Sequence, residues 1–250
     1  MKGHRRIIAL ILLLAATALA AEPSQSTDPV RSGYEALRDA VYNSEAVPQL
    51  EVLYARALAA IEAADLTAPD RSLWTSRIEY LLARGYQAVE DRRRAADHFE
   101  KGRSYLGPLV ESGDSSEAFR MMSECLSQLC LVKGLGFILA NGPKVAPYAE
   151  KALALDPRNA AAAIIIAAGK VYPPPLFGGD PRAGIALMEK ALALGTADRD
   201  DLFNINLGVG LAWGKLGKSD EARTWLGRAL ELYPGSRFAR AEYKRAGGKP

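Results

Sequence analysis

The sequence predicts an all-α chain, an irregular array of about five helical hairpins behind a cleaved export signal. Three observations point there. From Val30 onward apolar residues recur at three- and four-residue spacing, without the sustained two-residue alternation that a half-buried strand needs. Small residues return at long, similar intervals, with Ala57, Gly102, Ala152, Ala191 and Ala229 separated by 45, 50, 39 and 38 positions. The stretch 171–180, VYPPPLFGGD, interrupts the helical pattern as a hairpin turn would. Its three prolines lack donors and clash with the preceding turn, so the helix before them must stop.

The first twenty residues precede the fold. Lys2, Arg5 and Arg6 lie ahead of an apolar core, Ile7–Leu14, and Ala18, Leu19 and Ala20 form a small-residue cleavage site. That is the layout of a secretory signal, and the apolar run of roughly 15 residues is short of the about 20 that span a bilayer. The expected division is a signal peptide at 1–20, a polar linker at 21–29 and a helical repeat domain at 30–250, located in the periplasm or cell envelope. An uncleaved anchor is the alternative. Removing the signal takes away three of the 32 basic residues and no acid, leaving 29 against 29 acidic. A balanced chain has no net electrostatic attraction to nucleic acid or to anionic membrane, and no stable membrane insertion is expected after cleavage.

Taken in order, Leu37, Val41, Leu50, Tyr54 and Ala57 outline a first hairpin. Leu82, Ala83, Tyr86, Ala95, Phe99 and Gly102 outline a second, with Arg92, Arg93 and Arg94 as the solvated start of its second helix. Asp114 with Glu117 suggests a capping box opening a long helix towards Ala140, where Asn141, Gly142 and Pro143 stop it. Val132, Gly136, Val145, Ala149 and Ala152 mark the third hairpin. The fourth consists of segments 159–170 and 181–194 around the proline stretch, with Asp180 capping the second helix and Pro181 at its first position. Val209, Gly210 and Trp213, then Gly217 at a turn, then Ala222, Leu226 and Ala229 form the fifth. The segment Arg237–Arg245 closes the array as a polar capping helix.

These phrases carry a resemblance. Residues 217–234, GKSDEARTWLGRALELYP, and 149–157, AEKALALDP, resemble the tetratricopeptide-repeat (TPR) family, and the likeness extends over most of 31–236. It implies a divergent TPR-like solenoid that mediates protein–protein interaction. TPR units repeat at about 34 residues, so the longer spacings place extra length in 67–73, 110–124, the proline stretch and 195–201. A narrower likeness, over about 150–194, is to the T-component associated with TRAP transporters. It implies homo-oligomers and an apolar ligand held in a central cavity.

No catalytic chemistry is legible. His98 is the one histidine after the signal, and it is expected to be a surface or satisfied side chain beside Asp97 and Glu100 rather than part of a relay. With Cys125 and Cys130 it gives no converging metal-ligand set, and no cofactor or metal is expected. Both cysteines fall in one predicted helix, about 140° apart around it, so two packed thiols are expected rather than a bridge. Gly134 with Gly136, and Gly208 with Gly210, lack the strand–turn–helix context of a dinucleotide site, and close packing within helices is the expected reason for them.

A binding surface is expected instead. The first helix of each pair lines the inner face of such a superhelix. Early in the chain that places Arg77, Tyr80, Arg84 and Gln87 there. Cys130, Phe137, Ile138, Ile164 and Tyr172 follow in the middle, with Asn204, Leu207 and Lys215 late. The expectation is a polar, basic entrance leading to an apolar centre, suited to a protein or peptide partner or to an apolar small molecule. Long inserted segments covering that centre are the alternative. In the proline stretch Tyr172, Leu176 and Phe177 either face a partner or fold back into the core.

Overall fold

The computed structural model describes residues 28–249; the signal and most of the linker lie outside them. Among the described residues every regular element is helical. The pairs are α1 (Pro29–Tyr42) with α2 (Val47–Ala63), α3 (Ala68–Ala88) with α4 (Arg92–Ser112), and α5 (Ser116–Lys133) with α7 (Val145–Leu155). They continue with α8 (Ala160–Val171) and α9 (Pro181–Ala193), then α10 (Arg199–Lys215) and α11 (Ser219–Leu232), closed by α12 (Arg237–Arg245). Between α5 and α7 lie the short α6 (Leu135–Asn141) and a 3-10 turn, Gly142–Lys144. The chain is an all-α, TPR-like array of irregular pairs.

The recurring small residues sit where the pairs meet. Ala57, Ala152 and Ala229 are fully buried, Ala191 nearly so, and Gly102 is buried too. A short side chain lets two helix axes approach, and the large residue opposite fills the remaining gap. At Gly210 a Cβ would fall 2.7 Å from Leu226 Cγ, so the tight crossing of α10 and α11 requires glycine. The apolar core runs along the array as a chain of clusters. One joins α1 to α5, a small one around Phe119, Ala152 and Ala162 bridges to α8, and two more continue through α12.

Several expectations need correction. The excess over a regular repeat is not in loops at 67–73 and 110–124. Thr67 caps α3, accepting a hydrogen bond from the Asp70 N–H, and α3 and α4 each run 21 residues. Ser115 rather than Asp114 caps α5, and that helix stops at Lys133 instead of reaching Ala140. Gly134 sits at φ +84°, a left-handed value that favours glycine, and turns the chain into α6. It is a hinge residue, not a packing glycine inside a helix. Asp28 and Pro29, assigned to the linker, are the cap and first residue of α1. Asp198 caps α10 in a box with Asp201, in a stretch expected to be loop.

The proline stretch ends α8 and opens α9 as expected. Asn159 caps α8, and Asp180 caps α9 by accepting from Arg182 N and Ala183 N. Tyr172 and Leu176 stand exposed, so this stretch does not bury them in the core. The side chain of Phe177 lies outside the described residues.

Helical periodicity gives no hint of one further feature: the array closes on itself. Arg38 on α1 donates to Asp200 on α10 at 3.3 Å, and Arg199 donates to Asp39 at 2.8 Å. Tyr233, fully buried, stacks on Tyr42 at 4.8 Å and donates its hydroxyl to Asp39. At the turns, Gly235 N–H donates to Asn43 Oδ1 at 2.9 Å and Arg237 N–H to Ser44 Oγ at 3.1 Å. The first and last pairs therefore form a seam of ion pairs and stacked rings.

Candidate functional site

The helices α1, α3, α5, α8 and α10 face one cavity of about 560 Å³. Helix α1 supplies Arg31, Tyr34, Glu35 and Arg38, and α3 supplies Trp74 and Arg77. Across from them stand Glu117 and Arg120 of α5 and Asp198, Asp200 and Asp201 at the start of α10. Asn159 and Arg158 at the entrance to α8 complete the rim. A second, narrower space of about 30 Å³ adjoins it, sharing Tyr34, Arg77, Arg120, Asp200 and Asp201, and adding Tyr42, Tyr80, Glu124 and Asn204. Together they make a polar funnel.

A relay of contacts orders the α1–α3–α5 wall. Tyr34 meets Trp74 edge-on at 5.6 Å, and the Arg77 guanidinium lies 4.6 Å from the Trp74 ring centre. Arg77 Nε donates to Glu117 at 3.1 Å, and Arg120 donates to Glu117 and to Glu124, both at 2.8 Å. Burial alone would raise the Glu117 carboxyl, but Arg120 and Arg77 outweigh it and hold it down at about 2. On the α10 wall the balance is reversed. Burial, reinforced by Asp198, pushes Asp201 up to about 7 and raises Asp200 as well. Burial likewise raises Glu124, although Arg120 bonds it.

The expected site residues divide sharply. Arg77, Tyr80 and Asn204 do line the funnel, Asn204 donating to Tyr42 Oη at 3.1 Å. Arg84 donates to the Tyr80 hydroxyl at 3.1 Å, and Gln87 is half-buried one turn further along α3. Ile164 and Leu207 are instead buried in core clusters, Phe137 packs beside Val132 and Val145 against the core, and Ile138 is exposed on α6. Neither space is lined by Phe137, Ile138, Ile164 or Cys130, so the apolar centre expected from the sequence is replaced by a polar one. Lys215 ties the proline stretch to α10, donating to the carbonyls of Val171 and Tyr172 at 2.6 and 2.8 Å. Sequence reasoning missed Tyr34, Arg38, Trp74, Arg120 and the α10 aspartates as lining residues. Their signal was available in Glu117, Arg120 and Glu124, a charged stripe at three- and four-residue spacing on a helix whose other face is apolar.

His98 is a satisfied side chain, but not with its expected partners. Its Nδ1 lies 2.6 Å from Glu79 Oε2, and the fully buried Glu79 also receives Lys101 Nζ at 2.6 Å and the Tyr54 hydroxyl at 2.7 Å. This hub joins α2, α3 and α4. Cys125 and Cys130 are free thiols within α5. Among the described residues no group of three or more His, Cys, Asp or Glu side chains is placed to hold a metal ion. Among them, too, no helix is long and apolar enough to cross a membrane.

A closed set of helical pairs around a polar funnel places the chain among TPR-like helical-repeat folds. Several solved structures are similar to it at low identity. TTC0263, a thermophilic TPR protein of Thermus thermophilus, is 20% identical over 85% of this chain and 98% of its own, with a TM-score of 0.47. BtubC from P. vanneervenii is 19% identical over 89% and 85%, with a TM-score of 0.40. YrrB, described as a TPR protein with an unusual peptide-binding site, is 16% identical over 80% and 84%, with a TM-score of 0.37. No protein-family model and no curated protein matches the chain.

Proposed function

We propose that the protein is a non-enzymatic scaffold that binds a protein or peptide partner through the polar funnel lined by α1, α3, α5, α8 and α10. The observation that carries this is the convergence of five separate helices on one cavity of about 560 Å³, a volume within the range of about 300–1,000 Å³ typical of ligand sites. Guanidinium groups and carboxylates face that space from different helices, which suits a polypeptide's mixture of charges better than an apolar molecule. The arginines at the rim, Arg31 and Arg158, are exposed and free to meet an incoming chain. The signal-like first twenty residues support a site of action outside the cytoplasm, in the periplasm or cell envelope.

The test is capture of partners from the envelope fraction with the wild-type protein and with an Arg31→Glu/Arg158→Glu variant. Both changes are at exposed side chains on the rim. A partner recovered by the wild type and lost from the variant supports the reading. Recovery unaffected by the double reversal places binding elsewhere on the protein. Sequencing the amino end of the protein isolated from the envelope tests export separately, with a start near Ala21 expected.

A further inference from the structure

The shape and chemistry of the funnel restrict what can occupy it. Along the α1–α10 side it is shut by Arg38 donating to Asp200 and by Asn204 donating to Tyr42. The stacked rings of Tyr42 and Tyr233 and the turn contact of Asn43 with Gly235 lie on the same seam. An internal stretch of a partner cannot slide in sideways while these hold; a free chain end can enter from the mouth. The wide outer part then narrows from about 560 Å³ to about 30 Å³, room for about two water molecules or for one terminal group of similar size.

The narrow end also discriminates between the two kinds of terminus. Glu124 of α5 and Asp200 and Asp201 of α10 border it together, and the guanidiniums around it are already engaged: Arg77 and Arg120 bond Glu117 and Glu124, Arg38 bonds Asp200, and Arg84 bonds the Tyr80 hydroxyl. Tyr34, Tyr42 and Tyr80 add hydroxyl oxygens that can accept. An incoming carboxylate would meet three carboxyl groups and no guanidinium without a partner. An ammonium brings three donors to a space bordered by acceptors.

We propose that the funnel holds the amino end of an extended polypeptide, its α-ammonium at the narrow end between α5 and α10. This rests on the partner-binding reading above and specifies it. The raised carboxyls are consistent with it, because burial without sufficient counter-charge leaves Glu124, Asp200 and Asp201 reluctant to ionise, and a bound cation would supply what is missing.

Three random-peptide libraries of equal composition, selected against the purified protein, decide it. One presents free amino ends, one free carboxyl ends, and one closed loops. Enrichment is expected only among free amino ends. Acetylating the α-amino group of a selected peptide should weaken its binding at least tenfold, and Asp201→Asn should weaken the unmodified peptide comparably. Acetylation alters the peptide only, so that comparison stands even if the variant is unstable. Loops or carboxyl ends that enrich as strongly, or acetylated peptides that bind equally well, overturn the amino-end proposal while leaving the broader partner reading intact. Enrichment in no format removes both.

Discussion

Replacing Gly235 with alanine examines whether the array is closed in solution. Gly235 lies in the turn between α11 and α12, where an added Cβ would stand 2.5 Å from the Asn43 carbonyl oxygen and 2.9 Å from Asn43 Cβ. Ordinary contact begins near 3.4 Å, and the nearest atom belongs to backbone, so the seam itself must retreat by about 1 Å. Overpacking of this kind costs about 1–3 kcal/mol. The retreat also weakens the hydrogen bond from Gly235 N–H to Asn43 Oδ1, worth about 1 kcal/mol. The expected loss of about 2–4 kcal/mol corresponds to a melting temperature lower by roughly 5–15 °C for a chain of this size. Thermal unfolding followed by circular dichroism measures it, and small-angle X-ray scattering reports any expansion. Gly227→Ala is the control. It lies within α11, where the new Cβ would meet only Tyr243 Cε2 at 3.7 Å, and relief of glycine's conformational entropy should raise stability by about 0.5–1 kcal/mol. If Gly235→Ala is as stable as that control, the two ends of the array do not touch in solution.

Four further outcomes are expected. Glu79→Ala should destabilise by about 2–4 kcal/mol, because it strips a buried carboxylate from His98, Lys101 and Tyr54, while the partly exposed Lys101 and His98 can regain water. Burial opposes ionisation of Glu79, but its three hydrogen-bond donors prevail and lower its carboxyl below the ordinary 4.5. Its contribution is therefore complete above pH 4.5 and fades as the pH falls through the lower folded value, so Glu79→Gln should flatten the acid limb of a stability–pH profile. Asp201 has the opposite sign. Raised by burial and Asp198 to about 7, it retains in the folded protein a proton that the unfolded chain releases, so stability should decline from about pH 4 to pH 7. Asp201→Asn should remove that part of the slope; an unchanged slope would show that Asp201 ionises normally. Finally, a thiol reagent should count both cysteines in protein unfolded without reductant, with half-buried Cys130 reacting before buried Cys125 in the folded chain; a count of none would indicate a bridge.

Much of the site lay outside what helical periodicity can reveal. Periodicity grouped Arg77, Tyr80 and Asn204 on one set of helix faces, and the three border one small space, since each position is set by its own helix. The same reasoning treated Ile164 as exposed to a groove. The face it occupies is covered by α9 and α10, a matter of how neighbouring pairs stack. His98 was paired with its sequence neighbours Asp97 and Glu100, whereas its partner, Glu79, comes from the preceding helix. Long side chains reach across helices, and their partners depend on rotation and offset between pairs.

Local chemistry in the sequence was sufficient for the helical architecture. Prolines 173–175 must end α8, Asp180 and Pro181 must begin α9, and the small residues from Ala57 to Ala229 must lie where paired helices cross, because each requirement is met within a few turns of chain. The closure of the array was decided by tertiary structure alone. Small angular offsets between successive pairs accumulate until Arg38, Asp39 and Tyr42 reach Asp200, Arg199 and Tyr233. No local spacing encodes a sum of offsets taken over five pairs, and that sum is what brings the lining helices together as a polar funnel.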